Sequence, residues 1–446
     1  MKKVFILPLN TDLNRGDQAL VWESARLIQD LYSDDKVEIS LIESGVSASE
    51  REAQSAQTKQ LGFHFFSPIL EHPSRYFVRE SHKTIGISVI RLIKWGIVAA
   101  FDYMRTRPLL SRCSLVRRFF EIFLSKNKKS TLNALRDADA VFVKGGGFVH
   151  SYGKISDGYQ MYFSIYTILL ALRLKKPVSI LPNSFGPLQN RYARRLATRM
   201  LQGCQFVSTR ENISHEFLNT LGINNYLSPD LGYYLSTPQN YVAPFQLLDQ
   251  IDTSRKILGM TVRPWRFPTS TSPGETYRRY IHELSTFIHT VTANNWHVIL
   301  FAHTLGPSAH EDDRLAIRDI MEQLNKSTSH VSVMENQSLT CIDMMELYGK
   351  CHAFIGTRFH SVIFAQNKFV PTIAISYGGN KGTGIMRDLG LEKFSIPIDE
   401  VSSAKLLSML NILEQERNTV IQRIKDFKIR TNQKRIELLH KLQQYK

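Results

Sequence analysis

Cysteine is scarce in this sequence, with four residues among 446, at positions 113, 204, 341 and 351. None of them stands at the paired spacing of a zinc site or a redox motif. This distribution is typical of reduced thiols in a cytosolic protein, with a structural disulfide as the less favoured alternative. No cluster of metal-ligating residues is evident either, so the sequence predicts neither a metal nor a cofactor.

Long hydrophobic runs are also missing. No uninterrupted apolar run reaches the about 18 residues that a membrane-spanning helix requires. The first ten residues contain an apolar run of about six, which is shorter than the hydrophobic region of a signal peptide. We therefore expect a first β-strand there, and a cytoplasmic protein.

Acidic residues are the third shortage, because 40 Asp and Glu stand against 56 Lys and Arg, a formal charge of +16. Such an excess predicts attraction to nucleic acid, anionic lipid or phosphorylated small molecules. Nucleic acid is the least favoured of these partners, since the sequence has no recognition motif and no basic groove interleaved with aromatic residues. The hydrophobic fraction of 43% is ordinary for a globular chain, and the length favours two domains.

Short apolar runs alternate with helical patterns along most of the chain, which is typical of βαβ units. The first series covers residues 1–238 and contains a basic, partly apolar helical insertion at about 62–130. A linker at 239–255 leads to a second series at 256–400, and a helical extension follows at 401–446. These patterns predict an α/β protein with two Rossmann-like domains facing across a cleft, where ligands bind beyond the carboxyl ends of the strands.

The insertion has an unusual composition. Between Arg75 and Arg136 there are fourteen Lys and Arg but three acidic residues, and residues 85–101 are apolar apart from Arg91 and Lys94. Basic residues that flank apolar helical segments suit an interfacial helix on an anionic membrane, here the inner face of the plasma membrane. The alternative is a helical cap on the first domain with a solvated basic face.

Two turns of the first domain combine a strand end with residues suited to ligand binding. Asn14 and Asp17 follow the first strand and open a helix, whose N-terminus attracts anions; helix capping by Asp17 is the structural alternative. Gly145, Gly146 and Gly147 follow a later strand and leave their backbone amides free to line a ligand cavity.

Further polar side chains stand at the ends of other predicted strands. Arg210 can offer two parallel donors to a carboxylate or a phosphate, or it can pair with the neighbouring Glu211. Asp230 can serve acid–base chemistry or capping. In the second series Arg263 and His303 each follow a strand, and the pattern does not decide between the cleft and the ordinary surface for them.

The most specific element is the stretch from Ile355 to His360. A strand ends there, and Arg358 and His360 open the next helix. This arrangement predicts a fixed cation and a titratable imidazole at the cleft, beside helix N-terminal amides. Lys381, in a glycine-rich loop beyond the following strand, is a further candidate for contact with an anion.

Seven sequence elements follow one another in an order that resembles the polysaccharide pyruvyl transferase family, over most of residues 4–395. They are Asn14-x-Gly16-Asp17-x-Ala19, Gly145-Gly146-Gly147, Ser184-Phe185-Gly186-Pro187, Thr209-Arg210-Glu211, Pro229-Asp230, Gly356-x-Arg358-x-His360 and Tyr377-x-x-x-Lys381. The basic insertion and the C-terminal helix lie outside the resemblance.

The resemblance implies a fold like that of GT-B glycosyltransferases and the transfer of an enolpyruvyl-derived group from phosphoenolpyruvate. Two hydroxyls of one sugar accept the group, which leaves a pyruvate ketal on a cell-surface polysaccharide or on a polyprenyl-linked precursor. Two alternatives stay open. One is a GT-B glycosyltransferase that uses a nucleotide sugar, and the other is a non-catalytic binding module of a polysaccharide assembly.

The resemblance also suggests roles for the candidate residues. His360 is the first candidate for proton transfer, with Asp17 and Asp230 as alternatives. The predicted donor-binding residues are Arg210, Arg358, Lys381, Gly145, Gly146 and Gly147. The predicted acceptor-binding residues are Asn14, Arg263 and His303.

Overall fold

The computed structural model describes residues 1–76, 89–249, 251–252, 254–324, 329–377 and 381–446. The side chains of residues 74, 89, 91 and 381–383 lie outside this description. Within it the chain forms two parallel sheets, each surrounded by helices. The predicted pair of Rossmann-like domains in a GT-B-like arrangement is confirmed.

The first sheet has eight strands, and its central strands are apolar because helices cover both faces. All pairings in this sheet are parallel. The strands run in the order β3-β2-β1-β4-β6-β7-β8, with β5 paired to β6 outside this path. They are β1 (Lys2–Leu7), β2 (Val37–Ile42), β3 (His64–Phe66), β4 (Ala140–Val143), β5 (Gly146–Ser151), β6 (Val178–Leu188), β7 (Phe206–Thr209) and β8 (Tyr226–Leu227).

The second sheet has six parallel strands in the order β11-β10-β9-β12-β13-β14, which is the 3-2-1-4-5-6 order of a Rossmann fold. They are β9 (Lys256–Thr261), β10 (Trp296–Phe301), β11 (Val331–Met334), β12 (Ala353–Gly356), β13 (Thr372–Ser376) and β14 (Ser395–Pro397). In both sheets the strand order reverses beside the first strand, between β1 and β4 and between β9 and β12. Such switch points leave a crevice at the carboxyl ends of the strands.

Helices connect the strands of both sheets. Those of the first part of the chain are α1 (Arg15–Leu31), α2 (Ala48–Ala53), α3 (Ala56–Lys59), α4 (Val89–Thr106), α5 (Ser114–Glu121), α6 (Lys126–Asp137), α7 (Asp157–Arg173), α8 (Arg191–Gly203) and α9 (Asn212–Thr220). Those of the second part are α10 (Pro273–Ala293), α11 (Asp313–Gln323), α12 (Cys341–Tyr348), α13 (Phe359–Asn367), α14 (Lys381–Asp388), α15 (Ser403–Gln415) and α16 (Arg417–Gln443).

The segment 62–130 begins with a strand and continues with helices. Its strand β3 pairs with β2 at the edge of the first sheet. Helices α4 and α5 and the start of α6 follow within the described part of the segment. Along the sequence, the helices of this segment therefore follow the edge strand β3 and precede β4.

The C-terminal helix α16 runs across both domains. Val420 and Ile424 belong to the same apolar cluster as the core of the second domain, whereas Leu438 and Leu442 pack with residues of the first. Arg435 forms an ion pair with Asp30 of α1. The helix thus joins the two domains.

The domains also meet directly through α1. Asn14 forms an antiparallel bridge with Thr304, and the amide of Leu305 donates to the carbonyl of Leu13 at 2.8 Å. On the same helix Gln18 accepts a hydrogen bond from the amide of Cys341 at 2.7 Å. These contacts fix the start of α1 against the second domain.

Candidate active site

A cavity of about 430 Å³ lies between the carboxyl ends of the two sheets. The first domain contributes the turns that follow β1 and β4, and the second contributes those that follow β10 and β12. An adjoining cavity of about 600 Å³ continues from it and shares part of its wall. The predicted residues that line at least one of the two cavities are Asn14, Asp17, Gly145, Gly146, Gly147, Arg263, His303, Arg358 and His360.

The first wall is the N-terminus of α1. Asn14 caps this helix, since its Oδ1 accepts hydrogen bonds from the amides of Gly16 at 3.1 Å and Asp17 at 3.4 Å. Its Nδ2 donates to Asp17 Oδ2 at 3.0 Å, while Lys144 Nζ lies 3.3 Å from Asp17 Oδ1. Asp17 is therefore held at the cavity wall by an amide on one side and a buried cation on the other.

The glycine run after β4 forms the floor next to this wall. A Cβ atom at Gly145 would lie 2.9 Å from the carbonyl oxygen of Pro182, so a larger residue would push the two turns apart. Gly146 pairs with Asn183 of β6 and starts β5. The run thus serves chain packing, and the same three glycines also line the cavity.

Helix α13 brings His360 across from the second domain onto α1. A Cβ atom at Gly16 would lie 2.2 Å from His360 Nδ1, far inside van der Waals contact. Gly16 is therefore required because the imidazole ring packs directly on the backbone of α1. This contact joins the two walls of the cavity.

Behind His360 stands a buried ion pair. His360 Nε2 lies 3.6 Å from Asp230 Oδ1, and Arg210 Nη1 lies 2.5 Å from Asp230 Oδ2, with both side chains of the pair at 0% exposure. Ser184 accepts from Arg210 Nε at 2.8 Å. Burial acts to raise the pKa of Asp230, but the charges of Arg210 and His360 outweigh it and hold that pKa well below its usual range.

Arg210 and Asp230 line neither of the two cavities. They form a row with His360, and of the three the imidazole alone lines the wall of the smaller cavity. The row can orient the ring, as an aspartate does for a catalytic histidine.

Arg358 reaches the cavity from the position just before α13. Its guanidinium pairs with Asp313 through Nε at 2.9 Å and with Glu311 through Nη1 at 2.7 Å. Asp313 is fully buried and also accepts from the amides of His303 at 3.1 Å and Thr304 at 2.9 Å. These contacts fix the guanidinium in one orientation.

Arg263 lies in the wall of the larger cavity. Its guanidinium carbon is 4.0 Å from the ring centre of Tyr377 and 4.7 Å from that of Trp265. Its Nη2 lies 3.3 Å from Glu311 Oε1, while its Nε has no hydrogen-bond partner within the described ranges. Burial opposes ionisation of Glu311, but the charges of Arg358 and Arg263 lower its pKa to about 2.

His303 is a buried wall residue. Its Nδ1 lies 3.0 Å from the hydroxyl of Tyr348. Burial, together with the positive charges of His360 and Arg358, lowers the pKa of His303 well below its usual range. The ring is therefore neutral. It can form hydrogen bonds with a ligand, but it offers no positive charge to an anion.

The charges of the site are balanced. Each of the four cations pairs with at least one carboxylate: Lys144 with Asp17, Arg210 with Asp230, Arg263 with Glu311, and Arg358 with Glu311 and Asp313. Lys381 begins α14 and its side chain lies outside the described residues. The sequence indicated Asp17 and Asp230 among these acids, but not Glu311 and Asp313.

Three of these residues were not among the sequence candidates. Lys144 stands directly before the glycine run, and its place at a strand end was a usable signal. Glu311 and Asp313 stand at the start of a helical pattern, where acidic residues are common as caps. Nothing in the local sequence distinguished them from capping residues.

Two kinds of feature are absent from the described residues. No group of three or more His, Cys, Asp or Glu is arranged there to hold a metal ion. None of the helices in that part of the chain combines the length and the apolar character needed to cross a membrane.

Solved structures with a similar fold share little sequence with this chain. The structure of a Listeria monocytogenes protein described as a UDP-N-acetylglucosamine 2-epimerase superposes with a TM-score of 0.53 at 12% sequence identity. The match covers 95% of this chain and 90% of that one. The S. aureus MnaA–UDP complex gives a TM-score of 0.54 at 11% sequence identity, over 95% of this chain and 91% of that one. TcCGT1 in complex with UDP gives 0.55 at 11%, over 99% of each chain. These likenesses concern the fold.

Comparison of the sequence identifies a relative and a family. The amylovoran biosynthesis protein AmsJ of Erwinia amylovora is 26% identical over 287 residues, which is 62% of this chain and 66% of that protein, just under two thirds of its length. The sequence model of the family described as polysaccharide pyruvyl transferase matches residues 14–379, which include both walls of the cavity. This chain belongs to the polysaccharide pyruvyl transferase family.

Proposed function

We propose that this protein transfers a pyruvyl group from phosphoenolpyruvate to a sugar and so forms a pyruvate ketal. The acceptor is a cell-surface polysaccharide or its lipid-linked precursor, and the reaction takes place in the cytoplasm. The observation that carries the proposal is His360, backed by the buried Asp230–Arg210 pair and lining an interdomain cavity whose walls also carry Lys144 and Arg358. Membership of the family and the similarity to AmsJ support it.

In this proposal the donor lies against the glycine run and the guanidinium of Arg358. Phosphoenolpyruvate carries a carboxylate and a phosphate, and it therefore needs several N–H donors and positive charges. Backbone amides of the glycine run and Lys144 meet part of this need, with Lys381 as a further donor ligand. Arg210 acts indirectly, because it is buried behind Asp230 and lines neither cavity.

The acceptor sugar occupies the larger cavity. Arg263 lies there against Trp265 and Tyr377, and aromatic rings beside a fixed cation suit a sugar with apolar ring faces and hydroxyl acceptors. Asn14 lines both cavities, and the neutral ring of His303 lines the smaller one. These residues are the proposed acceptor contacts.

The reaction balances with two proton transfers to the donor and two from the acceptor. The methylene carbon of phosphoenolpyruvate takes one proton and becomes a methyl group, which leaves an oxocarbenium-like centre. One sugar hydroxyl bonds to this centre and loses its proton. The carbon–oxygen bond to phosphate then breaks, and the departing phosphate oxygen takes the second proton. The second hydroxyl bonds to the same carbon and loses its proton as well, so the products are the ketal and inorganic phosphate.

His360 is the proposed proton carrier. Nε2 lies 3.6 Å from Asp230 Oδ1, and Nδ1 lies beside the backbone of Gly16 at the wall of the smaller cavity. After the ring has given a proton to the methylene carbon, it can take a proton from a hydroxyl. Asp17, at the opposite wall, is the alternative base.

The test is release of inorganic phosphate from phosphoenolpyruvate in the presence of acceptor glycans, with mass spectrometry of the glycan for the added pyruvyl group. We expect His360→Asn to lower turnover by about 10²–10⁴-fold with the fold intact, as for loss of a general acid–base group. Gly16→Ala should also reduce turnover strongly, because the added methyl group displaces the imidazole. Gly274→Ala is the matched control, since a Cβ atom there meets one side-chain atom at 3.9 Å.

Two results would overturn the proposal. Release of a nucleoside diphosphate from a nucleotide sugar, without use of phosphoenolpyruvate, would identify a glycosyltransferase. Full complementation by His360→Asn and Arg358→Ala in cells would leave a binding module.

A further inference from the structure

Helix α4 is oriented with its apolar stripe towards solvent. The side chains of Ile90, Ile93, Ile97, Phe101 and Met104 recur at helical spacing along one face, and each is more than half exposed. A helix that packs on a soluble domain normally buries such a stripe. The exposed stripe therefore requires an apolar environment other than the core of this chain.

The opposite face of α4 is polar and buried. Asp102 forms two hydrogen bonds of 2.6 Å with Arg75, and Thr106 lies 2.8 Å from the hydroxyl of Tyr162. These contacts fix the rotation of the helix about its axis. The buried hydrogen bonds of Asp102 and Thr106 therefore hold α4 in the orientation that turns its apolar stripe to solvent.

Helix α5 and the turn after it continue the apolar surface. Leu115, Phe119, Ile122 and Phe123 are all more than half exposed, and the rings of Phe119 and Phe123 are 5.4 Å apart. Within the described part of the chain, 11 of the 24 exposed large hydrophobic side chains lie between residues 90 and 123. We call α4, α5 and this turn the apolar face.

The charges around the apolar face have one sign. The exposed Arg105, Arg107, Arg112 and Arg118 lie on or between its helices. The acidic residues of positions 89–123 are Asp102 and Glu121, and each is paired with an arginine. An apolar surface bordered by exposed cations complements a bilayer with anionic headgroups.

The apolar face also borders the catalytic cleft. The ring of Trp95 on α4 lies 5.6 Å from that of His72, which in turn lies 5.4 Å from Phe163. His72 and Phe163 line the larger cavity. Helix α4 therefore packs against residues of the cavity wall through the side that carries Trp95.

We propose that the apolar face docks this protein on an anionic membrane and brings the mouth of the cleft to the bilayer surface. The apolar side chains enter the boundary between headgroups and acyl chains, and the arginines contact lipid phosphates. Docking in this position favours an acceptor that is carried on a membrane lipid, and this last clause rests on the proposed function. A second copy of this chain is a poorer occupant because two such faces would bring their cations together.

Cys113 gives a direct probe of docking. It is exposed between the two helices, whereas Cys204 is half-buried and Cys341 and Cys351 are buried, so an environment-sensitive fluorophore can be attached to it selectively. We expect a blue shift of the emission with vesicles that contain phosphatidylglycerol, and loss of that shift as salt rises. Vesicles of phosphatidylcholine alone should give a much smaller shift.

The matched variants separate the apolar and the charged contributions. Ile97→Glu with Phe119→Glu should abolish sedimentation with anionic vesicles, and Arg112→Glu with Arg118→Glu should weaken it by about tenfold or more. Ile429→Glu with Ile436→Glu changes two equally exposed apolar residues of α16 and should leave vesicle binding unchanged. All three variants should keep phosphate release with a soluble acceptor, while the first should lose it with an acceptor embedded in vesicles.

Absence of vesicle binding at every ionic strength would overturn the proposal, as would equal binding by the Ile97→Glu and Phe119→Glu variant. A dimer in light scattering that the same variant dissociates, without vesicle binding, would assign the surface to a contact between copies. Failure of the proposed function has a different signature, because phosphate release would then be missing in solution while vesicle binding remained.

Discussion

At the scale of single residues, the candidate site depends on charges that neutralise one another. Arg210 and Asp230 are both fully buried, and a buried charge is tolerated when a partner and hydrogen bonds compensate for the lost hydration. Arg358 is held in the same way by Glu311 and Asp313. Fixed and compensated groups keep their orientation while a substrate binds, which is what catalysis requires of them.

Removal of Arg210 tests this compensation. Arg210→Gln should lower the free energy of unfolding at pH 7 by about 3–5 kcal/mol, as for other buried pairs that lose one partner. The pKa of Asp230 is lowered in the native protein, so its ionisation stabilises the fold above the ordinary value of 3.8, and this stabilisation is lost as pH falls. The unfolded state titrates alike in both proteins, so the difference between wild type and variant should shrink as pH falls below the pKa of Asp230 in the variant, where Arg210 no longer opposes the effect of burial.

Urea unfolding at several pH values measures this difference. The double variant Arg210→Gln with Asp230→Asn is the control, because it removes both charges, and it should recover part of the lost stability at pH 7. A difference that stays constant from pH 7 to pH 3 would contradict the assigned charge pairing.

At the scale of elements, the N-terminus of α1 combines three tasks. It carries the cap residue Asn14, it presents Asp17 to the cavity, and Gly16 receives the imidazole of His360. The sequence indicated the turn as an anion site or a simple cap. The structure assigns the cap to Asn14 and not to Asp17, and the capping side chain also holds the Asp17 carboxylate in place.

The two tasks of Asn14 can be separated with a second asparagine. Asn14→Ala and Asn190→Ala should each cost about 1 kcal/mol of stability, because each residue caps a helix through its side-chain oxygen. Only Asn14→Ala should also lower turnover by about tenfold or more, since Asp17 loses its amide partner at the cavity wall. Thermal unfolding measures the stability, and the release of phosphate measures the turnover. Equal activity of both variants would show that Asn14 serves only as a helix cap.

At the scale of the whole molecule, the two domains share a core. One apolar cluster contains Leu13, Ala19 and Tyr233 of the first domain together with most of the second domain. Tyr233 donates to Gln366 at 2.6 Å, and Gln366 lies on the helix that carries His360. The two halves of the site therefore depend on one continuous packed interface.

A shared core predicts a single unfolding transition. Variants that retain Trp22 in α1 or Trp296 in β10 as the sole tryptophan report on the first and the second domain respectively. We expect coincident urea midpoints by fluorescence for the two variants, because neither domain can expose its part of the interface alone. Separate midpoints would show that the domains unfold independently and that the interface contributes little.

Local patterns were sufficient for the fold class and for most strands and helices, although the strand β3 lies in a segment that was predicted to be helical. The alternation of apolar runs with helical patterns indicated two parallel sheets, because strand and helix periodicity arise from neighbouring residues. The same patterns indicated the turn after each strand, and hence Asn14, the glycine run and Arg358 at the cleft. The family resemblance, based on the order of those turns, is confirmed as well.

Local patterns were insufficient where partners are distant in sequence. Arg358 and Asp313 are 45 positions apart, and Arg75 and Asp102 are 27 apart. No periodicity connects such positions, since they meet through the packing of separate elements. For this reason the sequence left Arg210 as a candidate cleft residue, whereas the structure places it behind His360.

The sequence by itself determined the alternation of strands and helices, the positions of the turns and the excess of positive charge. Each of these properties depends on residue type and on short spacing. The tertiary structure alone decided which cation meets which carboxylate and which face of α4 is exposed. Those outcomes depend on the burial of charged groups, whose large desolvation cost selects the partners that packing brings within a few ångströms.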